Sequence, residues 1–283
     1  VPTPTDAFDA RAYSREVEKG WSSAAPHFRR VSARYFGPAT EPFFEFAGLA
    51  PGQRVLDVAC GPGTSTRRAA RRVGPRGSVL GVDISPRMIS LARGPARGAA
   101  RFARMDAEDL ALPDRSFDAV LCHLGLMLFA RPERALAEMV RVLKPGGALS
   151  CLVLGSPRAM PFTSLLAEIL PRRAPGLIRP GAPGLGGFAA PGALERALAG
   201  AGVSEIAARR LRGRFLVRSP RSYWVMALKA FGLLGPLLAS LPAETRRAVR
   251  LELFERLREY QGKDGLEIPY EFVMARGRAP GRG

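Results

Sequence analysis

Three carboxylates, each closing an apolar run, carry the first chemistry in this chain. Asp57 lies in VLDVACGPG (residues 55–63), on the run that leads into a loop holding Gly61 and Gly63. Asp83 closes SVLGVD (78–83), and Asp106 closes ARFARMD (100–106), with Ala107 and Glu108 behind it. A glycine loop opening a helix brings backbone N–H groups close to a ligand and favours negative charge. A carboxylate just before that loop would repel a pyrophosphate, so Asp57 points to a cationic amino group, with a ligand carboxylate facing the helix. Asp83 is placed to accept both ribose hydroxyl hydrogens. Asp106 and Ala107 offer a carboxylate and a backbone group to an adenine edge. The loop lacks the third glycine of GxGxxG, and the chain has no GxxxxGK[ST]. These features describe a nucleoside with an amino-acid tail, which is S-adenosylmethionine.

A general base can be sought among two histidines, the side chains that titrate near neutral pH. His123 is the next-to-last residue of FDAVLCHL, where a fourth strand would close; His27 lies in WSSAAPHF near the N-terminus. Tyr13 and Trp21 are candidate substrate contacts from the same N-terminal segment, and Tyr223 and Trp224 from SPRSYW. Cys60, Cys122 and Cys151 show neither disulfide nor metal-ligand spacing. They read as buried thiols of a reducing cytosol, and no metal is expected.

The elements that would position these groups alternate in type. Strands are predicted at 54–59, 78–83, 100–106, 117–124 and 147–155, with helices near 64–73, 86–93 and 132–143. In the last, Ala135, Leu136, Met139, Val140 and Leu143 share a face, and Pro145-Gly146-Gly147 should end it. The first two strands are apolar nearly throughout, as strands buried on both faces should be. The pattern predicts a doubly wound, mostly parallel Rossmann-like sheet of seven strands. Beyond it, residues 156–190 are rich in Pro and Gly, most of all at 171–187, with one helix at 162–170. Then come a helix at 192–200, a strand near 203–217, helices across 220–261 and a closing strand (267–278).

The formal net charge is +18, and all but four of the 43 basic residues are arginine. They are scattered rather than gathered on one element, unlike a nucleic-acid surface. The densest group, Arg67, Arg68, Arg71 and Arg72, reads as a solvated helix face. The N-terminus has no apolar signal core. The longest apolar stretch, 223–241, is broken by Lys229, Gly232, Gly235 and Pro236, against a membrane span.

The stretches VLDVACGPG, VLGVDISPRMISLAR, RMDAEDLALPDRSFDAVLCHLGLMLF and MVRVLKPGGALSCLV resemble class I S-adenosylmethionine-dependent methyltransferases. Among these the chain is similar to the ubiquinone/menaquinone-biosynthesis (methyltransferase type 11) group. The resemblance covers about residues 20–155 well and the rest loosely. It implies that Gly61 and Gly63 approach the methionine moiety and that Asp57 binds its ammonium through water. It also implies that Asp83 takes the ribose, Ile84 and Met88 flank the adenine, Asp106 and Ala107 meet its edge, and His123 touches the cofactor. An N-terminal helical lid (1–50), a cofactor-binding core (51–155), a mobile helical cap over the acceptor (156–262) and a closing strand with its tail (263–283) are expected.

The expected reaction is methyl transfer to an oxygen or carbon of a small, largely apolar acceptor: a phenol, a quinol or a natural-product intermediate. The chain lacks [DN]PP[FYW] after the fourth strand and has no Pro-Cys pair, which weighs against methylation of nucleic-acid bases. The alternatives are an RNA methyltransferase or a catalytically inactive cofactor-binding regulator. A cytoplasmic monomer or homodimer is expected.

Overall fold

The computed structural model describes residues 8–94, 98–175 and 183–281, built around one twisted sheet. Strands β1 (Arg54–Val58), β2 (Ser78–Asp83), β3 (Ala100–Arg104), β4 (Phe117–His123) and β5 (Leu143–Leu154) run parallel. After them come β6 (Ser204–Val217), a two-residue β7 (Gln261–Gly262) and β8 (Gly265–Arg278). β8 inserts antiparallel between β5 and β6, giving the order β3-β2-β1-β4-β5-β8-β6, and β7 pairs with the start of β8. The doubly wound, mostly parallel sheet is therefore present, with β7 as an eighth, minimal strand. β1 lies at the reversal of strand order, where α/β sheets open a crevice at their carboxyl ends.

The helices are α1 (Ala10–Val31), α2 (Gly37–Ala39), α3 (Glu41–Ala47), α4 (Thr64–Val73), α5 (Pro86–Ala92) and α6 (Pro132–Arg141). They continue with α7 (Pro161–Arg173), α8 (Ala193–Gly200), α9 (Pro220–Ala230), α10 (Leu234–Ser240) and α11 (Ala243–Leu257). A π-helical turn, Ser32–Phe36, joins α1 to α2. One hydrophobic core extends from Val31 to Ala279, so the N-terminal and C-terminal segments share it with the parallel sheet. The Pro/Gly-rich stretch 171–187 lies partly outside the described residues, as do the first seven residues of the expected lid.

α6 corrects one expectation. It ends at Arg141, and Leu143 already pairs with Phe117 as the first residue of β5. Pro145-Gly146-Gly147 does not end the helix but forms a register shift inside β5, with Gly146 at φ +71°. Proline has no ladder N–H to give and glycine accepts that φ, so the irregularity falls where it disturbs least.

α1 crosses the rim formed by the carboxyl ends of β1 to β4. Its Ser22 hydroxyl meets the buried Ser85 hydroxyl at 2.8 Å, and Ser85 caps α5 by accepting from the Met88 amide at 3.1 Å. Glu18 of α1 pairs with Arg104 at the end of β3 (3.1 Å). Gly20 packs against the Gly232 backbone between α9 and α10, where no Cβ would fit. No single helix among the described residues is long and apolar enough to cross a membrane. α9 and α10 reach that length only as a pair bent by 100°, with Tyr223, Trp224, Met226 and Leu238 buried in the protein.

Candidate functional site

Two strands end in the same unusual way at the rim. After β1, Ala59 takes φ +58°, and after β4, Leu124 takes φ +61°, a conformation that side chains with a Cβ rarely adopt. The two turns lie side by side: a Cβ on Gly125 would come within 2.5 Å of the Ala59 Cβ. Strain of this kind costs on the order of 1–3 kcal/mol per residue and gathers where chain ends are held for a ligand. Both residues line a cavity with about 1070 Å³ of atom-free space.

The loop between β1 and α4 forms one wall of this cavity. Gly61 sits at φ +54° and its amide donates to Asp83 Oδ2 at 2.8 Å, while the Ser85 amide donates to Asp83 Oδ1 at 2.9 Å. Asp57 lies fully buried beneath the loop. Its Oδ2 accepts from Ser65 Oγ and Thr66 Oγ1, each at 2.6 Å, and its Oδ1 has no hydrogen-bond partner among the described residues. A buried carboxylate oxygen without a donor is costly, which marks it as an acceptor awaiting one. Burial pushes Asp57 up to about 6, against its two hydroxyl donors and with the Asp83 charge adding to the rise. Burial likewise raises Asp83 to about 6, opposed by the Ser85 and Gly61 amides.

Asp57 itself does not line the cavity, whereas other sequence-predicted residues do. Gly61, Asp83, Ile84, Met88, Asp106, Ala107, His123 and Trp21 all line it. Asp106 Oδ1 accepts from the Glu108 amide at 2.9 Å, which shapes the turn after β3. Glu108 is buried and spoken for: Arg131 donates to it through both backbone (2.9 Å) and guanidinium (2.8 Å). Gly63 does not line the cavity. It starts α4 at φ +82°, and a Cβ there would strike Phe102 at 2.8 Å.

His123 is held in one tautomer by its neighbours. Thr40 Oγ1 donates to the Phe36 carbonyl at 2.6 Å, so its remaining capacity toward His123 Nε2, 2.8 Å away, is as an acceptor. Nε2 therefore carries the hydrogen. The ring stacks on Phe44 (5.8 Å, 24°) and meets Phe43 at 5.6 Å. Burial, with the Arg68 charge assisting, brings His123 down to about 4, so the ring is neutral at pH 7.

Four candidates fall elsewhere. His27 lies on the exposed face of α1 and does not line the cavity. Tyr13 packs with Val17 and Ala130 in a separate apolar cluster, its hydroxyl buried without a partner and pushed up to about 12 by burial. Tyr223 is fully buried and donates to the Phe162 carbonyl at 2.5 Å; Trp224 is buried beside it. Among the described residues those lining the cavity lie between 14 and 129, so none comes from the 156–262 segment expected to cap the acceptor. Phe162, Phe215, Tyr223 and Phe231 instead form an aromatic cluster that backs Phe36.

The structure also supplies lining residues that sequence reasoning missed: Phe28, Ser32, Phe36, Thr40, Phe44, Arg68 and Phe129. Only EPFFEFAG (41–48) and the arginine run of α4 signalled any of them. That run is not the solvated face expected. Arg67 donates to the Pro62, Gly63 and Ala92 carbonyls, and Glu41 of α3 pairs with both Arg68 and Arg72. Among the described residues no group of His, Cys, Asp and Glu could hold a metal ion.

Comparison with known proteins gives the same picture. Residues 56–151 match the family model described as a methyltransferase domain. The ubiquinone/menaquinone biosynthesis C-methyltransferase of Ectopseudomonas mendocina is 42% identical over 118 residues, 40% of this chain and 46% of that protein. That of Stutzerimonas stutzeri is 40% identical over 124 residues, 42% of this chain and 48% of that protein. The chain thus spans about half the length of the curated relatives it matches. Among solved structures, the [4+2]-cyclase SpnF aligns with a TM-score of 0.62 at 21% identity, over 100% of this chain and 99% of that one. A putative methyltransferase of Bacillus halodurans aligns with a TM-score of 0.54 at 20% identity, over 84% of this chain and 97% of that one. These two share the fold.

Proposed function

We infer the activity from family and site together: the chain carries a class I S-adenosylmethionine-dependent methyltransferase domain. The proposed reaction is methyl transfer to an oxygen or carbon of a small, largely apolar acceptor such as a phenol, a quinol or a related natural-product intermediate. The observation that carries it is the cavity walled by Gly61, Asp83 and Asp106, with Asp57, which does not itself line the cavity, buried beneath the loop and its Oδ1 without a partner among the described residues. In this reading Asp57 holds an ammonium through water, and its charge would repel a phosphate.

When bound, S-adenosylmethionine supplies an electrophilic methyl on its sulfonium. In this reading Gly61 leaves room for the methionine backbone, and the N-terminus of α4 faces the ligand carboxylate. Each Asp83 oxygen already accepts one amide and retains a lone pair for a ribose hydroxyl. Ile84 and Met88 flank the adenine, and Asp106 and Ala107 meet its edge. The aromatic wall of Phe28, Phe36, Phe44 and Phe129 receives the acceptor and excludes water. With the electrophile already activated, alignment does most of the catalytic work. The names of the curated relatives, C-methyltransferases, favour a carbon acceptor within this class.

A second reading, a cofactor-binding protein without methyl transfer, is supported by the fold's occurrence in a cyclase. Calorimetry with S-adenosylmethionine followed by turnover on a panel of phenols and quinols separates the two. Binding with turnover supports the first; binding without turnover on the whole panel supports the second. RNA methylation is disfavoured by the apolar, aromatic lining that Phe28, Phe36, Phe44 and Phe129 give the cavity.

A further inference from the structure

We infer that the acceptor is bound as an oxyanion, its charged oxygen held by Arg68 beside His123 at the end of the cavity away from the adenosine residues. The inference rests on the methyltransferase reading above and narrows its acceptor class to ionised phenols and enols. Sheet order separates the two ends: Asp106 follows β3 and Asp83 ends β2, whereas His123 ends β4, across β1. Arg68 reaches the cavity one turn into α4, on the face that also presents Thr64.

The charge count at this end leaves a surplus. Arg68 and Arg72 share one carboxylate, that of Glu41, so two guanidiniums face a single negative charge. The Arg68 side chain is only 16% exposed, and an arginine so enclosed stays charged and draws an anion. The groups packed around it from other elements do not cancel this. From α3 comes Glu41 alone. From β4 comes His123, neutral, with Nε2–H already given to Thr40. From β1 comes Asp57, turned beneath the loop and bonded to Ser65 and Thr66. The backbone contributes the Gly37 carbonyl, which accepts from Arg68. Phe28, Phe36 and Phe44 line the same cavity as apolar walls.

This arrangement removes the need for a protein base. The acceptor's proton passes to solvent on binding, because Arg68 favours the ionised form. The bond then formed joins the acceptor's oxygen or ring carbon to the methyl carbon, and the electron pair of the broken carbon–sulfur bond stays on sulfur as a neutral thioether. Where a ring carbon is methylated, its C–H proton then passes to water, which restores the aromatic phenolate.

The test uses 4-nitrophenol, whose anion absorbs visible light, titrated onto the full chain saturated with S-adenosylhomocysteine. The bound probe should ionise about one pH unit below its solution value, a roughly tenfold gain in anion over neutral form. Arg68→Met should abolish the shift, Arg68→Lys should keep part of it, and Glu41→Gln should deepen it by removing the competing carboxylate. S-adenosylhomocysteine affinity should be unchanged in the Arg68 variants. An equal shift in Arg68→Met, or no binding of the probe by the wild type, overturns the inference. Loss of S-adenosylhomocysteine affinity in Arg68→Met also overturns it, since the anion held would then be the cofactor's own carboxylate. Failure of the wild type to bind S-adenosylhomocysteine is a different failure, that of the methyltransferase reading itself.

Discussion

The Gly61 amide and Asp83 Oδ2 are 2.8 Å apart, so the carboxylate proposed to take the ribose also pins the loop proposed to take the methionine moiety. One side chain thus couples two halves of a binding site that come from different strands. Asp83→Ala removes that link and strands the Gly61 and Ser85 amides. Leaving buried donors unpaired costs about 1–3 kcal/mol each. The variant should lose at least about a hundredfold in cofactor affinity by calorimetry, roughly 3 kcal/mol, and should unfold at lower temperature. Unchanged affinity would remove the ribose assignment.

Binding should depend on pH through the same carboxylates. Asp57 and Asp83 are both raised to about 6 in the free protein, well above the ordinary 3.8. Raised carboxyl pKa values stabilise the fold below the ordinary value, and that contribution is lost as pH rises through about 6. A ligand that needs ionised carboxylates reverses the consequence: affinity for S-adenosylmethionine should rise as pH rises through about 6, then level off. His123 acts oppositely on stability. Lowered to about 4 from 6.5, it favours the fold above 6.5, and this contribution is lost as pH falls toward 4. Calorimetry from about pH 5 to 8 checks the binding limb; a flat affinity across that range would contradict it.

With Nε2–H given to Thr40 and its pKa brought down to about 4, His123 is proposed to orient Thr40 and the aromatic wall rather than to act as the base. His123→Gln can keep an N–H toward Thr40, and its transfer rate should stay within about tenfold of the wild type. A general base is worth on the order of 10²–10⁴-fold. A loss of that size in the Gln variant, with cofactor affinity intact, would make His123 the base.

Tyr223→Phe should cost about 1 kcal/mol, the net worth of a buried hydrogen bond, because the Phe162 carbonyl loses its donor. Its acceptor KM should not move, since Tyr223 does not line the cavity. His27→Ala should leave stability and transfer unchanged. Thermal unfolding and steady-state kinetics check both, and a raised acceptor KM in either would return that residue to the site.

The sheet was legible because buried parallel strands are written as continuous apolar runs bounded by glycine and acidic residues. β2 was read with its observed bounds and β4 to within one residue at its end. The adenosine end of the cavity was legible for a related reason: Asp83, Ile84, Met88 and Asp106 follow directly from strand ends. The acceptor end was not. Thr40, Phe36 and Phe44 reach it through a π-helical turn and two short helices that no periodicity announces. Arg68 looked solvent-facing because its partner, Glu41, is 27 residues away in sequence. Tyr223 and Trp224 looked like pocket aromatics, but an aromatic core behind Phe36 takes them instead, and sequence pattern alone does not distinguish the two fates.

Calorimetric titration of the purified chain with S-adenosylmethionine, S-adenosylhomocysteine, NADH and ATP under one set of conditions tests the central assignment most directly. The site should bind the two sulfur nucleosides, and Asp57→Ala should weaken both by removing the carboxylate proposed to hold their ammonium through water. Tighter binding of NADH or ATP, or full affinity for the sulfur nucleosides without Asp57, would contradict it.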